Sequence, residues 1–98
     1  MDLQPQLLRD KLLLIRESIP PFAAWNVTLL QTAYNDYKEV LLTVAGPAQN
    51  RPDLEFLMIN LMILEQCLGD VQDRPVAEPY DFASNKLRCD IDLLVEQL

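Results

Sequence analysis

Apolar residues recur along this chain every three or four positions, in four stretches divided by proline and glycine. That spacing predicts helices rather than strands. The first stretch runs from about Pro5 to Ser18. Leu8, Leu12, Ile15 and Ile19 form its stripe, and Leu3, Leu7 and Leu14 widen it. Pro5 suits a first helical position, while Pro20-Pro21 ends the helix because proline lacks the amide and disfavours helix in the residue before it. The second stretch runs from about Phe22 to Ala45, with Leu30, Ala33, Tyr34, Tyr37, Leu41 and Val44 on a single face. Gly46-Pro47 predicts its stop: glycine accepts the left-handed conformation and proline blocks continuation.

The third helix is expected to start near Arg51-Pro52-Asp53, where proline fits the first turn and Asp53 and Glu55 meet the helix dipole. Its end is expected at Leu68-Gly69. It carries two apolar stripes, one of Leu54, Leu57, Met58, Leu61, Leu64 and Leu68, the other of Phe56, Ile59, Ile63 and Cys67. A helix apolar on two sides has to be covered on two sides. Residues 70–80 hold two prolines and read as a long loop of the kind that often carries function. The fourth helix then begins with Asp81 or Ser84 as N-cap. Leu87, Ile91, Leu94, Val95 and Leu98 make its buried stripe, and Lys86–Asp90 and Arg88–Asp92 pair on the outside. The set predicts an all-α fold, an antiparallel four-helix bundle in one domain, 1–98.

Composition agrees with a folded domain. Half of the 98 residues are hydrophobic, 23% are charged and only two are glycine, which argues against a fold of many tight turns. The first residues have no basic segment followed by an apolar run, so no secretory signal is expected. The longest apolar run, Phe56 to Leu64, is broken by Asn60 and is too short to cross a bilayer. Cys67 and Cys89 have no paired spacing and are expected to be buried, reduced thiols in a cytoplasmic protein, with a disulfide as the lesser alternative.

Charge is divided unevenly. Residues 1–52 hold five acids and five bases, whereas residues 53–98 hold ten acids against Arg74, Lys86 and Arg88, which accounts for the whole net charge of −7. From Glu65 to Asp81 five acids face Arg74 alone. An acidic surface repels nucleic acid and anionic lipid and attracts basic proteins. The chain has no histidine, which removes Ser-His and Cys-His nucleophiles and carboxylate–histidine metal sites. Two glycines cannot build a phosphate loop, and two isolated cysteines cannot hold zinc. We therefore expect no catalytic residue, no cofactor and no metal, and no contact with nucleic acid or membrane.

The residues left as candidates are partner-binding ones: Asp70, Asp73, Glu78, Tyr80, Asp81 and Trp25. The acidic loop is a contact surface for a basic partner or merely a solvated loop of an acidic protein. Tyr34 and Tyr37 fall in the core stripe, whereas Trp25 and Tyr80 lie near element starts and suit surface contact. Glu65 is either exposed near a helix end or paired with a base such as Arg9 or Arg16. Asn60 either fixes register across an interface or faces solvent. Asn26-Val27-Thr28 matches a glycosylation sequon, by chance within a helix.

The stretch from the Asp-rich segment through Tyr80-Asp81-Phe82-Ala83-Ser84-Asn85-Lys86-Leu87-Arg88-Cys89-Asp90-Ile91-Asp92-Leu93-Leu94 resembles the end of colicin D-type bacteriocin immunity proteins. Those are small, acidic and helical, and their final helix follows an acidic loop and a Tyr-Asp/Glu-hydrophobic step. The resemblance covers about the last quarter of the chain and carries over no individual contact residue. It implies an inhibitor that plugs the basic cleft of an RNA-cleaving toxin. The expected function is therefore a small acidic inhibitor or immunity-type protein that neutralises a basic partner. The alternative is a homodimeric structural or regulatory subunit without catalytic activity, joined through the two-sided third helix. Burial separates them, because a monomer working alone should enclose Phe56, Ile59 and Ile63.

Overall fold

The computed structural model describes residues 5–20, 26–46, 52–74 and 76–98. They form α1 (Pro5–Ser18), α2 (Val27–Ala45), α3 (Glu55–Asp73) and α4 (Ala77–Gln97), with one turn of 3-10 helix at Pro52–Leu54 leading into α3. The described residues contain no strand. The helices pack α1 on α2, α3 on α4, and each pair on the other, in a helical bundle of 41 × 23 × 18 Å. No helix among the described residues is long and apolar enough to cross a membrane.

The core is made by the periodic stripes. Leu12, Ile15 and Ile19 of the α1 segment meet Leu30, Ala33, Tyr34, Tyr37, Val40, Leu41 and Val44 of α2, with Leu57, Leu61, Leu64 and Leu68 of α3 completing the enclosure. Leu7 and Leu14, expected to widen the α1 stripe, are instead exposed. They fall outside the band of α1 that packs on α2 and α4. The α2 start is set by Asn26, whose side-chain oxygen accepts the Leu29 amide at 3.0 Å. The sequon asparagine is thus a helix cap. The stretch expected to open this helix at Phe22 lies outside the described residues. At the other end Gly46 takes φ 74° and donates its amide to Leu42 at 3.0 Å, the stop expected of it.

The main correction concerns residues 70–80, which are not a long loop. α3 runs through Gly69 to Asp73, and α4 already begins at Ala77, so Val76 stands at the cap position expected of Asp81 or Ser84. Two physical reasons account for this. A single helical glycine costs only about 1 kcal/mol, less than burying Val71 returns, and Val71 is fully enclosed one turn beyond Leu68. Pro79 falls in the first turn of α4, where its missing amide has no intrahelical acceptor to lose. The cysteines also differ from expectation. Both are free thiols, but Cys67 is only half-buried and Cys89 is exposed.

The two glycines should respond oppositely to alanine. A Cβ at Gly69 meets nothing within 4 Å and removes a flexible link from a helix interior. Gly69→Ala should therefore stabilise the fold by about 0.5–1 kcal/mol. Gly46→Ala has the same free space but a strained φ, and should destabilise by about 1 kcal/mol. Urea unfolding midpoints that move in the same direction for both would contradict this assignment of α3.

Candidate functional site: an acidic corner between two helices

The close approach of the α3 end to the α4 start makes a tight corner. Asp70 and Asp73 stand exposed on the last turn of α3, and Glu78 and Asp81 stand exposed on the first turns of α4. An open cleft of about 210 Å³ sits between the helices, lined by Cys67, Asp70, Arg74, Glu78, Pro79 and Phe82. The structure thus brings Asp70 and Glu78 together on two helices rather than along one loop. Phe82, not singled out in the sequence, is 59% exposed at the edge of this cleft. The sequence signal for it is a phenylalanine one residue after Asp81, outside the Ala83–Leu87–Ile91 stripe.

Tyr80 is not a surface contact. Its ring is fully enclosed, and its hydroxyl donates to the Pro20 carbonyl at 2.6 Å. Enclosure drives the phenol pKa above its ordinary value, against the pull of the Asn26 backbone and of Arg88. Beside it, Arg88 donates to the Ile19 carbonyl at 3.3 Å and to Asn85 at 3.1 Å. Arg16 pairs with Asp92 at 2.9 Å, so Asp92 turns to α1 rather than to Arg88 as expected. These contacts fasten the end of α1 to α4 and hold the corner from behind. Trp25 lies outside the described residues.

Other acids of the second half are occupied elsewhere. Glu65 is exposed in mid-helix, and its partners are Tyr34, which donates at 2.7 Å, and Lys38 at 3.2 Å, rather than Arg9 or Arg16. The Tyr34 hydrogen bond, then Lys38, holds the Glu65 carboxyl below the usual range. Among the described residues no ion pair engages Asp70, Asp73, Glu78 or Asp81. The corner therefore groups four exposed acids that no ion pair among the described residues engages.

Asp90 departs from the position that its spacing to Lys86 predicts. It was expected outside with Lys86, yet it is 1% exposed. The reason is register: Asp90 lies three residues past Leu87 and four before Leu94, within the buried stripe. One carboxylate oxygen accepts from Asn60 at 3.4 Å and faces Lys86 at 3.7 Å, while the other has no hydrogen-bond partner. Asn60 thereby ties α3 to α4 within one chain. The Tyr37 hydroxyl is likewise buried without a partner, and burial followed by the Asp90 charge raises its pKa. Burial also raises the Asp90 pKa, with Lys86 and Asn60 opposing the shift.

Comparison with family models, curated proteins and solved structures finds no match for this chain. The arrangement must be read from its own chemistry. Among the described residues no group of three or more Cys, Asp or Glu could hold a metal ion.

The raised pKa of Asp90 sets a pH dependence. The native state holds this proton more tightly than the unfolded chain does. Its contribution is therefore fully present below the ordinary carboxylate range and is lost as pH rises through the folded value. Asp90→Asn removes a buried charge but keeps the shape, and the Lys86 side chain stays 20% exposed. The raised pKa means that the variant should be more stable than wild type at pH 7, and the gain should vanish in acid as wild-type Asp90 becomes neutral. Urea titrations across pH that show a loss at pH 7 would contradict this.

Proposed function

We propose that this chain is a protein-binding module, an acidic inhibitor of the immunity type whose α3–α4 corner docks on a basic partner. The observation that carries the reading is the corner itself, where Asp70 and Glu78 flank a cleft that exposes Phe82, with Asp73 and Asp81 on the same turns. An aromatic anchor ringed by like charges suits a partner that offers Lys or Arg around an apolar recess. The net charge of −7 favours fast encounter with such a partner and disfavours nucleic acid. The reading involves no catalytic step and no cofactor. The likeness of the last quarter to bacteriocin immunity proteins supports the cytoplasm as the place of action and a toxin as the partner class.

One observation favours the second reading, a homodimeric structural or regulatory subunit. Phe56, Ile59 and Ile63 are exposed, whereas a monomer working alone would enclose them.

The electrostatic reading is tested on a partner co-purified from the source cell. Exposed charges are screened over about 8–10 Å at physiological ionic strength, so association should slow steeply with salt. Asp73→Asn with Glu78→Gln should lower the on-rate by about tenfold and leave the thermal midpoint unchanged. Stopped-flow rates indifferent to salt and to both substitutions would rule the acidic corner out as the docking surface.

A further inference from the structure

The outer face of α3 exposes a run of large apolar side chains. Phe56, Ile59, Ile63 and Gln66 recur at three- and four-residue spacing, the seam of a helix that packs along another helix. Ile59 is 56% exposed and Met62, beside it, 67% exposed, with Phe56 and Ile63 also on the surface. Glu65, the one charge between Phe56 and Gly69, is turned away toward Tyr34 and Lys38. The seam is therefore uncharged over roughly 20 Å of helix. Both ends are net negative in sequence, Asp53 and Glu55 against Arg51 at the start and Asp70, Asp73 and Glu78 against Arg74 at the corner. At the corner end Cys67 joins the seam to the cleft that holds Phe82.

This charge pattern decides between occupants. In a two-fold pairing of α3 seams centred between Ile59 and Ile63, Asp70 of each copy would approach the Asp53–Glu55 end of the other. Like charges would then face each other at both ends of the interface, which disfavours a second copy. A helix with an apolar seam and Lys or Arg at its two ends satisfies the same surface throughout. We infer that the α3 seam and the acidic corner form one continuous docking surface for an amphipathic, basic helix of the partner. This deepens the proposal above and rests on it: the corner supplies the charge contacts, and the α3 seam supplies the apolar contact.

The test uses a fluorescein-labelled synthetic peptide with Leu and Ile at heptad positions and Lys and Arg toward both ends. Its control carries Glu in place of every Lys and Arg. Anisotropy and circular dichroism should show that the basic peptide binds and becomes helical while the control does not. Ile59→Gln with Ile63→Gln, both on the surface and so compatible with folding, should weaken binding by about tenfold or more, the value of two apolar contacts. Asp73→Asn with Glu78→Gln should weaken it severalfold and flatten its salt dependence. Failure of the basic peptide to bind overturns the inference. Binding that needs the acids but ignores the isoleucine pair overturns it too, while leaving the acidic corner standing. Binding that needs the isoleucines but ignores acids and salt removes the corner reading itself. Sedimentation showing a dimer that the isoleucine pair dissolves identifies a second copy as the occupant and overturns the inference as well.

Discussion

The enclosure of Tyr80 is the constraint on which the corner depends. A phenol ring fully removed from water must place its hydroxyl on a partner, and the partner here is the Pro20 carbonyl, sixty residues away along the chain. The ring reaches the core from the start of α4, which has already begun by Tyr80. An early start for α4 leaves only residues 74–76 to connect it with α3. α3 must therefore continue through Gly69, which places Val71 in the core. A link this short fixes the two helix ends beside each other. The acids carried on those ends are then held by helical backbone rather than by a mobile loop.

Charge follows from the same geometry. Asp92 is drawn to Arg16 behind the corner and Glu65 to Tyr34 and Lys38 on the far side of α3. Asp90 is buried against Asn60 and Lys86. Four exposed acids without an ion pair among the described residues, Asp70, Asp73, Glu78 and Asp81, stand where α3 meets α4, next to an exposed phenylalanine and at one end of an uncharged seam. A surface with charge already fixed in position loses little conformational entropy on docking, which favours specific recognition over diffuse attraction. The same exposed seam would be a liability for an isolated monomer, since large apolar patches mark interaction sites or invite aggregation.

The all-helical fold and most of the core were legible because α1 and α2 obey one period and end at strong breakers. Pro20 and Gly46 act where the pattern says they should, and every residue of the α2 stripe is buried. The α3–α4 corner was misread because Gly69 and Pro79 were weighed as local breakers, whereas burial of Val71 and Tyr80 decides their conformation. The period itself carried a hint, since Leu64, Leu68 and Val71, and then Tyr80, Ala83 and Leu87, each continue a stripe through the supposed loop. The sequence shows Asp70, Asp73, Glu78 and Asp81 as one acidic stretch but not their division between the ends of two helices. The enclosure of Tyr80 is not legible in the sequence because its partner, a backbone carbonyl at Pro20, leaves no trace in the pattern of side chains. Asp90 shows the opposite failure, in which an i, i+4 partner concealed a position inside the buried stripe.

Hydrogen exchange of the backbone amides around the corner tests this account most directly. In α3 the amides of Val71 to Asp73 bond within the helix and that of Arg74 reaches the Asp70 carbonyl at 2.7 Å, while in α4 those from Phe82 to Asn85 lie beyond the free first turn. The account predicts that both groups exchange at least about a hundredfold more slowly than an unstructured chain. Rapid exchange from residue 70 to residue 81, with protection resuming only after Ser84, would show a loop there and contradict the docking corner built on it.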